Sequence, residues 1–254
     1  RFCTERGVRC VTGNGDVRAA AKNEKMTIEE AGRNLRYRFL IDTVRTLNAA
    51  AVAVAHHADD QAETILMHFL RGSGLEGLRG MQARSFQADP KIPIIRPLLK
   101  FWRAEIDEWI QSAGITPVSD PSNADAAYYR NRLRLLLLPE IARNYNPAIK
   151  QSLLRIGGEA TADMEIIQAP VQQAQHQCEL RETEDTVTYT RKLFSAQSHG
   201  MRMRLLREAV IRLLPFPQNL SFELCQSGIT FFENARWNEK RLWFGNLQLA
   251  ALGD

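Results

Sequence analysis

The chain has 254 residues, of which 44% are hydrophobic and 24% charged. This is the composition of a folded globular protein and not of a disordered one. A chain of this length can form one large hydrophobic core or two smaller ones. Its net charge of +4 and pI near 9.0 are compatible with a nucleic-acid partner without requiring one. No apolar run approaches the roughly 20 residues of a membrane span, and the N-terminus has no signal-peptide pattern, so we expect a cytoplasmic protein with no membrane passage.

The cysteines exclude two further classes. Cys3, Cys10, Cys178 and Cys225 are far apart and form no CxxC pair. This spacing indicates neither a zinc ribbon nor a disulfide scaffold, so we expect reduced, structural thiols.

The first half of the chain predicts alternating helices and strands. Thr27 and Glu30 form a capping-box pattern that should start a helix over residues 28–47. The small apolar run at 49–55 predicts a buried parallel strand, and an apolar stripe from residue 59 to 71 predicts a helix. Gly72-Ser73-Gly74 should end that helix. It could otherwise be a phosphate-binding loop, but such a loop opens a helix.

A second α/β repeat follows, with a short strand within residues 92–99 and a helix over 102–113 closed by Gly114. We place a domain boundary between residues 138 and 139. Residues 147–180 predict a long helix, or a helix pair interrupted near Gly157-Gly158 and Pro170. A strand at 186–189, a basic helix over 198–214 and β-like alternation at 241–252 complete a mainly helical second domain.

The most informative pattern is a group of histidines and acids directly after the presumed strand. It consists of His56, His57, Asp59, Asp60 and Glu63. In open α/β sheets, ligands bind at the carboxyl ends of strands, where this group lies. On a helix, Asp60 and Glu63 share a face and could hold an ammonium group. The simpler explanation is that acidic residues at the start of a helix often only stabilise the helix dipole.

A metal site is the alternative for the same residues. Histidine and aspartate clusters activate water on divalent ions in phosphohydrolases. Neighbouring side chains of one strand point to opposite faces, so His56 and His57 would not both reach one ion without help. Spacing alone leaves ligand binding and metal binding open.

Longer stretches of sequence favour ligand binding over metal binding. The chain resembles the tRNA(Ile)-lysidine synthetase family, within the PP-loop ATP pyrophosphatases, over residues 1–157. The blocks that carry the resemblance are, in order, EAGRNLRY at 30–37, AHHADDQAETIL at 55–66, LRGSGLEGLRGM at 70–81, IRPLL at 95–99, DPSN at 120–123 and YRNRLR at 129–134.

The resemblance implies an α/β fold: a parallel-sheet PP-loop domain, similar to adenine nucleotide alpha hydrolases, over residues 1–138, followed by a mainly helical tRNA-interacting domain over 139–254. The family binds ATP at a Ser-Gly-Gly-x-Asp-Ser loop after its first strand, and this string does not occur in the chain. We therefore expect the chain to lack the first strands of the catalytic domain and to be inactive on its own.

The implied reaction is a carbon–nitrogen ligation. ATP, with Mg²⁺, adenylates O2 of the wobble cytidine of an isoleucine tRNA and pyrophosphate leaves. The side-chain amine of L-lysine then attacks C2 and expels AMP. The sequence does not fix the oligomeric state, and a homodimer is one alternative. Related enzymes that thiolate tRNA often use cysteines. No cysteine lies between Cys10 and Cys178, which disfavours sulfur transfer.

The resemblance also assigns residues. Implied catalytic residues are His56, Asp59 and Asp60; implied lysine-binding residues are Asp60, Glu63, Arg130 and Arg132; implied contacts to ATP or tRNA are Arg33, Arg36, Asn131, Arg202 and Arg204; no protein-bound metal is implied. The individual roles of Asp59, Asp60 and Glu63 stay open.

Simpler explanations exist for the arginines. Arg130, Arg132 and Arg134 could form only a solvated helix start, and Arg33 and Arg36 could merely cover the sheet with their stems. Two functions of other classes also remain: a metal-dependent phosphohydrolase using His56, His57, Asp59 and Asp60, and an RNA-binding fragment without chemistry of its own.

Overall fold

The computed structural model describes residues 2–86, 89–118, 120–214 and 220–252. The chain divides into two units, one made of residues 1–57 and 82–100 and the other of residues 58–81 and 101–254. The domain boundary between residues 138 and 139 stays a prediction. No described helix is long and apolar enough to cross a membrane.

The first unit is a small mixed sheet with helices. Its elements are α1 Phe2–Glu5, α2 Val17–Glu24, α3 Ile28–Leu47, β1 Val52–Ala53, β2 Arg84–Ser85 and β3 Ile94–Ile95. The strand order is β1-β3-β2, with β1 parallel to β3 and β2 antiparallel to it. The parallel pair agrees with the predicted α/β class. A purely parallel sheet is wrong for the described residues, because β2 runs the other way.

Helix α3 starts and ends where the sequence predicts. The hydroxyl of Thr27 accepts a hydrogen bond from the amide of Glu30 (3.2 Å), and the Thr27 amide donates to the Glu30 carboxylate (3.0 Å). Asn48 ends the helix in the left-handed conformation, with φ of 50°. Tyr37, Ile41 and Val44 of α3 pack with residues of β1 and β3 to form the core of this unit.

The second unit is mainly helical. Its helices are α4 Ala58–Leu70, α5 Leu75–Leu78, α6 Arg103–Ser112, α7 Tyr129–Arg132, α8 Leu138–Asn144, α9 Ile149–Cys178, α10 Arg191–Ala196, α11 His199–Leu213 and α12 Phe222–Asn234, with a 3₁₀ turn at Pro121–Ala124 and a π-helical turn at Leu133–Leu137. Two antiparallel hairpins pair β4 Glu179–Glu182 with β5 Val187–Tyr189, and β6 Lys240–Phe244 with β7 Leu247–Ala250. The predicted helices over 102–113 and 198–214 are confirmed.

Of the two alternatives predicted for residues 147–180, the long helix is confirmed and the interrupted helix pair is wrong, because α9 is one helix of 30 residues. Proline inside a helix removes a hydrogen bond and costs roughly 3 kcal/mol. Burial on both sides of Pro170 offsets that cost: Leu153 and Ala160 are buried before it, and Val171 and Cys178 after it. Tertiary packing therefore overrides the local helix-breaking signal.

The two glycines of α9 have different surroundings, which gives a matched test of packing. A Cβ on Gly157 would lie 2.7 Å from Cδ1 of Ile65 and 3.3 Å from the carbonyl oxygen of Leu78, whereas a Cβ on Gly158 would meet no atom within 4 Å. We expect Gly157→Ala to lower the free energy of unfolding by about 1–3 kcal/mol through overpacking. Gly158→Ala should raise it by about 0.5–1 kcal/mol. Urea denaturation checks both, and equal shifts would contradict the close packing at Gly157.

Candidate functional site

Helix α4 begins at the acidic motif and presents two of its carboxylates on one face. Ala58 and Ala62 are completely buried, which fixes the face of the helix that turns inward. Because residues three apart are neighbours on a helix, Asp60 and Glu63 lie side by side. Glu63 is buried, with its side chain only 2% exposed, whereas the side chain of Asp60 is 13% exposed.

Two arginines from the segment after residue 129 bind this pair of acids. Arg130 donates from Nε to Glu63 Oε2 (2.8 Å) and from Nη2 to Asp60 Oδ1 (3.1 Å). Arg134 donates from Nε to Glu63 Oε1 (2.6 Å), and from Nη2 to Glu63 Oε2 (3.0 Å) and to Asp60 Oδ1 (3.3 Å). We call these four residues the acid–arginine cluster.

The charges of the acid–arginine cluster balance, which explains how Glu63 can be buried. An isolated buried carboxylate is costly unless it is paired and hydrogen-bonded. Each Glu63 oxygen accepts at least one charged hydrogen bond. The hydrogen bond to Glu63 raises the pKa of the Arg134 guanidinium, against the opposing effect of burial. The open edge of the cluster is formed by Asp60, Arg130 and Arg134, whose side chains are 13%, 27% and 36% exposed.

Asp59 lies outside this cluster and contacts other elements. Its Oδ1 accepts from Nζ of Lys150 (2.5 Å) in the first turn of α9, and its Oδ2 accepts from the backbone amide of Arg103 (2.9 Å) at the start of α6. One carboxylate thus joins the starts of three helices. These contacts suit a positioning residue, while its predicted catalytic role stays a prediction.

The other predicted residues of the YRNRLR block point elsewhere. Arg132 donates to the carbonyl oxygen of Ala127 (3.3 Å), and its guanidinium lies 5.6 Å from the ring centroid of Tyr129. Asn131 donates to the carbonyl oxygen of Asp125 (2.9 Å). The structure therefore brings Arg130 to the two acids and leaves Arg132 and Asn131 outside the cluster.

Three of the predicted residues belong to the first unit. His56 is half-buried at the end of that unit's first segment. Arg33 and Arg36 are exposed on α3, and the Arg33 guanidinium lies 5.0 Å from the ring centroid of Tyr37. The predicted catalytic role of His56 and the predicted contacts of Arg33 and Arg36 to ATP or tRNA stay predictions.

The basic helix α11 holds its arginines mostly in internal contacts. Arg202 forms a salt bridge with Glu233 (2.5 Å), and Arg212 one with Glu179 (3.1 Å). Arg207 donates to the carbonyl oxygen of Leu220 (2.8 Å), and Arg204 is half-buried. The salt bridge to Glu233 competes with the predicted contact of Arg202 to ATP or tRNA. The predicted contacts of Arg202 and Arg204 stay predictions.

The geometry gives no support to the metal alternative. In residues 2–86, 89–118, 120–214 and 220–252, no three His, Cys, Asp or Glu side chains are grouped so that they could hold a metal ion. Asp60 and Asp59 each accept hydrogen bonds from cationic side chains instead, from Arg130 and Lys150 for example.

The string Ser-Gly-Gly-x-Asp-Ser, which the resemblance links to ATP binding, does not occur in the sequence. That the chain lacks the first strands of the catalytic domain stays a prediction. Gly72, with φ of 72°, ends α4 as predicted, and the α5 helix that follows has only four residues. A helix of four residues has too small a dipole to attract phosphates at its start, so this turn is not a candidate phosphate site.

Three contributors were missing from the predicted site. Arg134 is four residues after Arg130, a spacing that places both on one helical face and could have indicated its role. Lys150 lies in a different element and carries no sequence signal. Gln61 donates to the carbonyl oxygen of Met81 (3.0 Å) and accepts from its amide (2.8 Å), so it fixes the loop after α5.

Comparisons with known proteins agree with this motif pattern. The PP-loop domain family matches residues 1–141. Proteins named tRNA(Ile)-lysidine synthase are similar: one from Clostridium acetobutylicum is 31% identical over 87% of this chain and 46% of its own, and one from Dehalococcoides mccartyi is 34% identical over 78% of this chain and 42% of its own. One from Clostridium perfringens is 27% identical over all of this chain and 52% of its own.

The chain thus spans about half the length of these curated relatives. The family match covers more than half of this chain and includes the motif at the start of α4 and the arginine block that binds it. We conclude that the chain belongs to the PP-loop family.

Proposed function

We propose that this chain takes part in the ATP-dependent attachment of L-lysine to C2 of the wobble cytidine of an isoleucine tRNA, as a portion of a tRNA(Ile)-lysidine synthase. The similarity to proteins of that name supports the proposal. ATP, Mg²⁺ and isoleucine tRNA enter it as the partners that this reaction requires.

The observation that carries the proposal is the acid–arginine cluster. Free lysine bears an ammonium on its side chain and both charges on its backbone, so a site for it needs acids and a cation together. At the open edge of the cluster, Asp60 can accept hydrogen bonds from an ammonium, and Arg130 can donate to a carboxylate. Glu63, buried beneath both arginines, holds their guanidinium planes in place.

The chemistry of these residues then follows. The side-chain ammonium of lysine must lose a proton to gain the lone pair that bonds to C2. A carboxylate beside it keeps the nitrogen oriented and can accept that proton. Asp60 is the carboxylate with access for this role. Glu63 is a positioning residue in this scheme, because its oxygens are already occupied by Arg130 and Arg134.

Calorimetric titration of this chain with L-lysine and with norleucine tests the binding step. Norleucine lacks only the side-chain ammonium, so loss of a charge-assisted hydrogen bond should weaken its binding by about 10- to 100-fold. Equal affinity for the two amino acids would contradict lysine recognition. RNA binding without any lysine binding would favour a non-catalytic RNA-binding role instead.

Lysine incorporation tests the reaction itself. The assay uses a chimera that joins the Ser-Gly-Gly-x-Asp-Ser segment of a lysidine synthase upstream of this chain, with ATP, Mg²⁺ and an isoleucine tRNA transcript. We expect radiolabelled lysine to enter the tRNA. A chimera that leaves the tRNA unmodified but hydrolyses phosphoesters with manganese would favour the phosphohydrolase.

A further inference from the structure

A second surface lies on the opposite side of the segment that supplies the acid–arginine cluster. An open groove of about 600 Å³ runs along residues 129–143 and the end of α4. We call it the Tyr129 groove. Residues that line it include Leu70, Tyr129, Arg132, Leu136 and Arg143.

The helical phase of this segment separates two sets of arginines. Arg130 and Arg134 are four residues apart and both bind the acids. Arg132, halfway between them, falls on the other side of a helix with 3.6 residues per turn. It is exposed and lines the Tyr129 groove.

The Tyr129 groove carries a net positive charge. Arg132 and Arg143 line it, and Arg71 lies beside it, near the ring of Tyr129. All three are exposed, and none of them forms a salt bridge with any residue that the structure describes. Glu140 also lines the groove, where it accepts a hydrogen bond from Asn144 (2.5 Å), and its charge offsets one of the three cations. Exposed cations of this kind suit a polyanion, whose phosphates they neutralise with release of counterions.

Flat groups accompany this charge. The guanidinium of Arg132 lies 5.6 Å, and that of Arg71 5.8 Å, from the ring centroid of Tyr129. The apolar side chains of Leu70 and Leu136 are exposed beside them. Tyrosine rings and guanidinium planes are the surfaces on which unstacked nucleobases pack.

A second copy of the chain fits this surface less well. In a two-fold dimer the same patch faces itself. Apposing two Tyr129 grooves would bring together the arginines of both copies, against a single Glu140 from each, and like charges across an interface are unfavourable.

We propose that the Tyr129 groove binds an unpaired segment of RNA, with its phosphates on Arg71, Arg132 and Arg143 and a base packed against Tyr129 and the neighbouring guanidiniums. The inference rests on the proposed function, because that reaction requires a tRNA. It moves Arg132 from the predicted lysine site to the RNA. A loop of the tRNA suits the groove better than a helix does, because only unpaired bases expose their faces.

The test measures binding of this chain to a fluorescent isoleucine-tRNA anticodon stem-loop across a range of salt concentrations. The quantity compared is the salt slope, which is the steepness of the fall of the logarithm of the binding constant with the logarithm of the salt concentration. Each phosphate contact to a single strand contributes about 0.7 to this slope. The triple variant Arg71→Gln, Arg132→Gln, Arg143→Gln should therefore have a slope smaller by about 2. The control triple changes Arg155, Lys192 and Arg236 to Gln. These residues are also exposed in the second unit but lie outside the groove, and the control removes the same charge.

Tyr129→Leu separates stacking from charge. It should weaken binding by about 5- to 100-fold and leave the salt slope unchanged, since no cation is lost. A fully paired RNA duplex should bind more weakly than the stem-loop. Circular dichroism and the lysine titration, which should match those of the parent chain, verify that the variants fold.

Two results would overturn the inference. One is equal loss of binding in the groove triple and the control triple, since net charge alone would then account for it. The other is a change of oligomeric state in the groove variants, by analytical ultracentrifugation, with RNA binding intact, which would assign the surface to a second copy. Failure of the proposed function would give a different result from failure of this inference, because the chain without substitutions would then not bind lysine.

Discussion

Glu63→Gln is expected to lower the free energy of unfolding of the second unit by about 3–5 kcal/mol, because removing one partner of a buried ion pair leaves its counter-charge uncompensated. Glu63 is 2% exposed and accepts hydrogen bonds from both Arg130 and Arg134. Without its charge, Asp60 alone would face two guanidiniums, and one positive charge would stay unbalanced in a partly dry site.

Equilibrium urea denaturation followed by tryptophan fluorescence measures this effect, since Trp102, Trp109, Trp237 and Trp243 all belong to the second unit. Glu76→Gln is the matched control. Glu76 is 54% exposed and pairs with Arg79 on the surface, so its loss should cost at most about 1 kcal/mol. Equal shifts of the two variants would mean that the charge of Glu63 does not hold the acid–arginine cluster together.

Elements defined by local signals could be predicted from the sequence. The α3 helix depends on bonds between Thr27 and Glu30, three residues apart, and on the left-handed Asn48. Gly72 ends α4 for an equally local reason, because glycine adopts positive φ without strain. Where the contacts that start or end a helix lie within one turn of the chain, a short stretch of sequence is enough to predict that end of the helix.

Elements that depend on distant contacts could not be predicted in the same way. Pro170 signals a break in α9, yet the helix continues because Val171 and Cys178 are buried against other elements. The strand predicted at 49–55 shortens to Val52–Ala53, with only Val52 buried. An alanine-rich run offers little side-chain surface to cover on both faces, so its extent is set by the backbone partners available at β3.

The candidate site was predicted only in part, for a related reason. The motif identified Asp60, Glu63 and Arg130, and the structure joins them. Lys150, 91 residues after Asp59, could be found only in the folded chain. The sequence predicts Arg132 at this site, whereas the structure has Arg134 there. The reason is helical geometry, because residues four apart, such as Arg130 and Arg134, share a face and residues two apart do not.

Asp60→Asn should reduce lysine incorporation by the chimera by about 100-fold in kcat/KM for lysine, the scale expected when a group that takes a proton in the transition state is neutralised. Among the carboxylates of the acid–arginine cluster, Asp60 is the more accessible, at 13% exposed. Asparagine keeps the shape and one acceptor oxygen but loses the charge and the basicity. Because Glu63 still holds both arginines, the fold should persist.

Measuring kcat and KM separately distinguishes the two roles that Asp60 could have. A rise in KM alone would assign it to binding the lysine ammonium, whereas a fall in kcat would assign it to accepting the proton from the attacking amine. Asp107→Asn is the matched control, because Asp107 is 44% exposed in a surface pair with Arg103. If the Asp60 variant incorporated lysine as well as that control, the lysine site would have to lie away from the acid–arginine cluster, and Asp60 and Arg130 would serve only to join α4 to the segment after residue 129.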